Sequence, residues 1–238
     1  MRKSGKVVAR TIRQLYEAIV PGKTTTRILD ELAGRLIAEA GGVPSFLNYR
    51  GYTANTCLSV NDVVIHGMPN DIPIVDGDII DIDVGVLLDG WHADSAWTFP
   101  IGTVSSDAQR LLNISRECLF QGIGQAKVGN RIGDIASTVQ RYAESHGYGV
   151  VKELVGHGIG RKLHEEPVNV PNYGKPGKGE LLREGCTICI EPMINQGTAK
   201  IVTMPDNWTI KTADGKLSAH FEHTIAITRD GPDILTIE

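Results

Sequence analysis

Apolar residues recur at helical spacing from the start of the chain: Val7, Val8, Ile12, Leu15 and Ile19 predict a helix over residues 1 to about 19, stopped by Pro21-Gly22. Thr24 to Thr26 offer caps for a second helix. Its stripe of Ile28, Leu29, Leu32, Leu36 and Ile37 ends at Gly41-Gly42. Periodicity then lapses. Pro44 to Leu58 reads as irregular and carries Phe46, Tyr49 and Tyr52, and Val63 to Ile65 reads as a short strand ending in His66-Gly67-Met68-Pro69.

The next stretch, Asp76 to Phe99, combines strand character with acidic residues. Ile79, Ile80 and Ile82 favour a buried strand, yet Asp81 and Asp83 sit among them. Asp89-Gly90 is a good two-residue hairpin loop, which pairs Leu88 with Trp91 and Asp83 with Ala96. Alternation then places Asp94 on the face of Asp83, as its diagonal neighbour. Two carboxylates so placed repel each other unless a cation lies between them. Half of a divalent metal site and a solvated strand face are both open readings of this hairpin.

Beyond it, Ser105 and Ser106 cap a helix over about 107 to 126, and a further helix follows over about 132 to 146. Next come a Gly/His-rich turn, VGHGIGRKLHEEP, a loop around 170–180 and a strand over 186–191. A last hairpin has Trp208 near its start and Phe221 to Thr228 as a strand. The order repeats: two helices, a strand, a His-x-x-Pro, an acidic strand. DGDIIDIDV aligns with EGCTICIEP, placing Asp83 on Glu191, and His66-x-x-Pro69 answers His164-x-x-Pro167. An internal duplication offset by about 108 residues accounts for this, with the halves roughly 1–104 and 105–238 of one domain. Duplicated halves commonly build a site where they meet.

Composition narrows the class. Charged residues are 22% and hydrophobic ones 41% of 238, ordinary for a globular protein. A formal net charge of −4 gives no strong electrostatic argument for nucleic acid or a membrane as ligand. No apolar run approaches the ~18 residues of a membrane span, and the N-terminus carries no secretory signal. Cysteines at 57, 118, 186 and 189 form no disulfide framework and point to a reducing cytosol. Cys186 and Cys189, three apart in a strand-like run, read as packing residues.

The second half supplies more acids in apolar surroundings. Glu191 lies in ICIEPM and Glu222 in HFEHTIAIT, and His157 lies in GHGIG. Two Asp, two Glu and one His suit two divalent ions sharing bridging carboxylates. Mn, Fe, Co and Zn all fit these oxygen and imidazole donors.

These motifs carry a resemblance. VIHGMP, DIDVGVLLDGWHADSA, GHGIGRKLHEEP, ICIEPM, NWTIKT and SAHFEHT stand in the order and spacing of the bacterial type I methionine aminopeptidases. The resemblance runs over nearly the whole chain. It implies an α/β (α+β) pita-bread fold: two pseudo-symmetric halves of antiparallel sheet, helices on the outer face, a dimetal site at the centre. It implies Asp83, Asp94, His157, Glu191 and Glu222 as metal ligands, with Asp94 and Glu222 bridging. His66 and His164 match active-site histidines that hold the substrate backbone and stabilise the tetrahedral intermediate, whereas His92 and His220 read as hairpin residues.

The implied reaction is removal of N-terminal methionine from nascent chains at the ribosome, by a monomeric cytoplasmic enzyme with neither membrane nor specific nucleic acid as partner. A water or hydroxide bridging two cations is nucleophilic near neutrality and attacks the first peptide carbonyl, with Glu191 shuttling the proton. The implied methionine pocket has Phe46, Tyr49, Tyr52, Cys57, Leu163 and Trp208 as walls. Phe46 stands where a smaller cysteine is common, and Leu163 where a phenylalanine is common, which predicts a reshaped pocket that keeps its preference. GHGIG and HEEP also resemble motifs of prolidases and X-Pro aminopeptidases, which carry an extra N-terminal domain. A scaffold without metal that binds nascent chains or RNA is the reading from another class.

Overall fold

The acidic hairpin lies against the first helix. In the computed structural model, which describes residues 1–238, α1 (Arg2–Glu17) buries Val8, Ile12 and Leu15. Helix α2 (Thr26–Glu39) starts where the Thr25 hydroxyl accepts the Ile28 N–H, and Gly41 follows its end at φ +76°. The first half continues with β1 (Val43–Pro44), a single turn at Tyr49–Gly51, β2 (Cys57–Val60), β3 (Val63–Ile65), β4 (Ile79–Leu88) and β5 (Trp91–Pro100). Strand β4 pairs antiparallel with β1, β2 and β5, and α1 packs on β4 and β5. Leu15, Leu29, Ile37, Ile80, Ile82 and Val84 meet in the core between helices and sheet, each worth about 2 kcal/mol of apolar burial.

The second half opens with α3 (Ser106–Ile123), capped by the Ser105 hydroxyl, and α4 (Ile132–Ser145), where the Asp134 carboxylate accepts the Arg131 N–H at 2.7 Å. Ten strands follow: β6 (Gly149–Val150), β7 (Val155–Gly158), β8 (Glu165–Pro171), β9 (Thr187–Ile190), β10 (Met193–Asn195), β11 (Ile201–Thr203), β12 (Ile210–Thr212), β13 (Ser218–His220), β14 (His223–Thr228) and β15 (Gly231–Ile234). Their sheets run β15-β14-β9-β7-β8 and β13-β10-β6, while β11-β12 joins β3 of the first half. Leu111, Leu119, Ile135, Val139, Ile188 and Ile225 form a second core. Trp97 of β5 packs against both cores and meets Phe221 edge-on at 5.2 Å.

Some local expectations need correction. Glu191 lies just beyond β9, and Glu222 stands in the gap between β13 and β14, so neither belongs to a regular strand. Trp208 sits in the turn joining β11 to β12, a hairpin separate from the β14–β15 hairpin that ends the chain. Cys186 is exposed while Cys189 is buried, so only the latter packs.

The irregular segment between β1 and β2 is anchored by one acid. Asp30 of α2 accepts the N–H groups of Asn55 and Thr56, each at 2.9 Å, and the Thr56 hydroxyl at 2.7 Å. Asp30→Ala leaves these donors unpaired and is expected to lower unfolding free energy by about 3 kcal/mol, read by urea denaturation. A loss below about 1 kcal/mol would show that the segment is held by its aromatic packing instead.

Candidate metal centre and its pocket

Hairpin register brings the first two acids together. Asp83 lies opposite Ala96 and Asp94 opposite Gly85, so both carboxylates occupy one face of β4–β5. A seam of short hydroxyl side chains then docks the second half onto β5. The Thr224 hydroxyl accepts the Asp94 N–H at 3.0 Å and donates to the Asp94 carbonyl at 2.8 Å. The Ser95 hydroxyl donates to the Glu222 carbonyl, and the Thr98 hydroxyl to that of His220. The Glu222 N–H bonds the Ala96 carbonyl at 2.8 Å, across from Asp83.

This seam seats Glu222 beside the hairpin acids. One carboxylate oxygen from each of Asp83, Asp94 and Glu222 lies within 4.8 Å of the others. His157 Nε2 stands 3.7 Å from Glu191 Oε1 and 4.0 Å from Asp94 Oδ2. Its Nδ1 is 2.9 Å from the Gly158 carbonyl, which accepts the Nδ1–H hydrogen bond and so leaves the Nε2 lone pair free. The Asn172 side chain holds the Glu191 carbonyl at 3.0 Å.

Burial pushes the carboxyls of Asp83, Glu191 and Glu222 well above their usual range, and mutual repulsion adds to it. Asp94 is pushed up to about 7 by burial. Burial lowers His157 to about 3 and His66 and His164 to about 4, so all three are neutral at pH 7. Asp83 Oδ1, Asp94 Oδ1 and Glu222 Oε1 are buried without a hydrogen-bond partner. Orphaned acceptors beside a neutral imidazole fit divalent cations taking oxygen and nitrogen donors. Asp81 instead faces His220 Nδ1 at 3.3 Å, and burial pushes the Cys189 thiol up, with its Sγ 3.7 Å from the Thr224 hydroxyl.

The cluster floors a cavity of about 200 Å³. Phe46, Tyr52, Cys57, Leu163 and Trp208 form its apolar walls. Tyr52 meets Trp208 edge-on at 5.0 Å and donates to the Thr56 carbonyl at 2.9 Å. Phe46 occupies space that only glycine at 85 allows, because a Cβ there would stand 2.7 Å from its ring. Tyr49 stacks on His164 at 5.2 Å, and His164 lies against His157 at 3.9 Å. On the other side, His66 adopts φ +55°, and Gly67 after it passes so close to Leu58 that a Cβ would stand 2.3 Å from its carbonyl.

The sequence profile of metallopeptidase family M24 matches residues 1–229. The chain belongs to metallopeptidase family M24. This M24 chain is 49% identical over 237 residues to a methionine aminopeptidase of Clostridium perfringens, covering 100% of the chain and 94% of that relative. Identity to methionine aminopeptidase 1 of Bacillus subtilis is 48% over 236 residues, covering 99% and 94%. The crystal structure of methionine aminopeptidase from Thermotoga maritima superposes with TM-score 0.97 at 41% identity, covering 100% of this chain and 95% of that one. Prolidase from Pyrococcus furiosus superposes at 0.78 with 22% identity over 100% and 62%, a likeness of fold. The fold is the pita-bread arrangement of antiparallel sheets with helices packed against them. No helix is long and apolar enough to cross a membrane.

All thirteen candidate residues named from the sequence line this one cavity. Arg50, Ile65, Leu154 and Val155 line it too and were not singled out. Ile65 reads as plain strand core and Leu154-Val155 as the approach to GHGIG, so neither carries a signal. Arg50 had one, its place between Tyr49 and Tyr52.

Family membership makes the raised carboxyl pKa values a statement about divalent metal. In protein stripped by chelator, the folded state holds protons that the unfolded state releases above about pH 4. Stability from those groups is lost as pH rises through their folded pKa values. The buried histidines act oppositely, below about pH 6.5. Between about pH 6.5 and 8.5 the stripped protein should therefore melt at falling temperature, and saturating divalent metal should reverse the trend. The expected stabilisation is about 3 kcal/mol for one site at 100-fold excess over its dissociation constant. Identical melting with and without metal across that window would refute a cation site here.

Proposed function

We propose that the chain removes methionine from the N-terminus of newly made polypeptides, by hydrolysis of the first peptide bond. The observation that carries this reading is the joining of a buried carboxylate cluster to a small apolar pocket, in a chain nearly half identical to proteins named methionine aminopeptidases. A cavity of about 200 Å³ is of a size for one side chain, which supports removal of a single terminal residue.

Asp83, Asp94, His157, Glu191 and Glu222 would hold the divalent ions. When bound, these ions supply Lewis acidity and a water of lowered pKa. The remaining work falls to side chains. The Glu191 carboxylate takes a proton from the attacking water as the new C–O bond forms, and delivers it to the nitrogen as the C–N bond breaks. His66 and His164, neutral at pH 7, donate N–H groups to the substrate carbonyls and to the oxygen that gains negative charge. Tyr49 fixes the His164 ring by stacking. Trp208 and Tyr52 close the apolar wall around the thioether.

Turnover of Met-Ala-Ser should be abolished by chelator and restored by divalent metal, while Ala-Pro-Ala is left intact. Release of alanine from the second peptide would instead indicate an X-Pro aminopeptidase, and silence with every metal a binding scaffold. Glu191→Gln should retain peptide binding with kcat reduced by roughly 10²- to 10⁴-fold; near-normal turnover would sink its role as proton carrier.

Gly85→Ala tests the pocket wall separately. The added methyl drives the Phe46 ring into the cavity, so KM for Met-Ala-Ser should rise roughly tenfold. An unchanged KM at unchanged melting temperature would remove Phe46 from the wall.

A further inference from the structure

Besides the acids and histidines, the pocket has a single charged side chain in its lining, Arg50. It is exposed and makes no salt bridge or side-chain hydrogen bond in the structure, unlike Arg161 nearby. That residue lays its guanidinium 3.8 Å over Trp91 and donates to the Gly90 carbonyl at 3.2 Å. The Arg50 backbone adopts φ +51°, a left-handed conformation that a long side chain seldom takes. The turn around it is over-determined: the Asn48 N–H bonds the Tyr52 carbonyl at 2.7 Å, and the Tyr49 N–H that of Phe46 at 2.9 Å. Strain of this kind at a pocket mouth holds a cation that touches the Tyr49 ring and has no carboxylate paired to it, which leaves it available to an anionic group.

A stack of rings leads from the cluster to this residue. From His157 it passes to His164 at 3.9 Å, to Tyr49 at 5.2 Å, and to the Arg50 guanidinium at 5.4 Å from the Tyr49 ring. That path is about four extended residues long at ~3.3 Å each, and the reach of an acidic side chain toward the guanidinium shortens the backbone span to about three. A contiguous polar cleft of about 470 Å³ opens beyond, lined by Arg50, Arg161 and Lys162 against Glu165 and Glu166. The Glu165 carboxylate is engaged by the Lys162 N–H at 3.0 Å. With divalent ions discharging the buried carboxylates, Arg50 is the charged side chain that lines both the pocket and the cleft, where an emerging peptide passes from one to the other.

We infer that Arg50 is a specificity residue, which receives an acidic side chain at the third or fourth position of the substrate and favours such chains over basic ones. The inference rests on the aminopeptidase reading above. Because the pair forms at an exposed site, its effect is modest and screened by salt.

The test uses enzyme loaded with the divalent ion that supports Met-Ala-Ser turnover, and C-terminally amidated Met-Ala-Asp-Ser, Met-Ala-Lys-Ser, Met-Ala-Ser-Asp and Met-Ala-Ser-Lys. The wild-type kcat/KM should favour aspartate over lysine by roughly fivefold at low ionic strength, at one position or both. The preference should fade in about 0.5 M salt. Arg50→Gln should bring the ratio to one, and Arg50→Lys should restore most of it. A merely structural role would lower kcat/KM for every peptide alike and leave the ratio unmoved. An equal ratio in wild type and Arg50→Gln overturns the inference while Met-Ala-Ser turnover upholds the aminopeptidase reading. Failure to cleave any methionyl peptide overturns both.

Discussion

Four carboxylates buried against one another are the constraint on which this structure turns. Moving one unpaired charge out of water costs several kcal/mol, and neighbours of like sign add to it. Asp83, Asp94, Glu191 and Glu222 respond by holding protons, and three of them retain orphaned oxygens. Such an arrangement is tolerable in a marginally stable molecule only when cations discharge it. The neutral imidazoles around it follow from the same burial, and with them the capacity to donate N–H groups without adding charge.

The seam between the halves shows how the acids are brought so close. Backbone groups of β5 and of the segment around Glu222 approach without forming a regular ladder. Ser95, Thr98 and Thr224 satisfy them with hydroxyls, which are short enough to bridge and supply both donor and acceptor. Trp97 then buries its ring against both cores. The clustered acids owe their spacing to these neutral neighbours as much as to the strands beside them.

Much of this was legible in the sequence wherever a local rule governs. The helices follow from apolar period and capping residues, and the register of β4–β5 follows from Asp89-Gly90, so the Asp83–Asp94 pair could be placed within one hairpin. Glu191 and Glu222 were recognisable as acids out of place, yet not their positions beyond strand ends, because the breaks answer to the seam and not to propensity. The pairing of Asp81 with His220 spans 139 residues, and no local pattern encodes it. Arg50 escaped notice for a related reason: an arginine in a loop looks solvated until its backbone conformation and its missing partner are known.

The division of the acids between two separately packed halves makes the centre a gauge of completeness. A chain that has folded only through β5 presents Asp83 and Asp94 without Glu222, His157 or Glu191, and on the proposed ligand set such a fragment would hold a cation weakly. On that proposal, activity would arise only when the last strands dock, and would be lost when they leave. A peptidase assembled this way is silent during its own synthesis and after a nick that frees its C-terminal strands, so half-made copies present no active site to the chains growing around them.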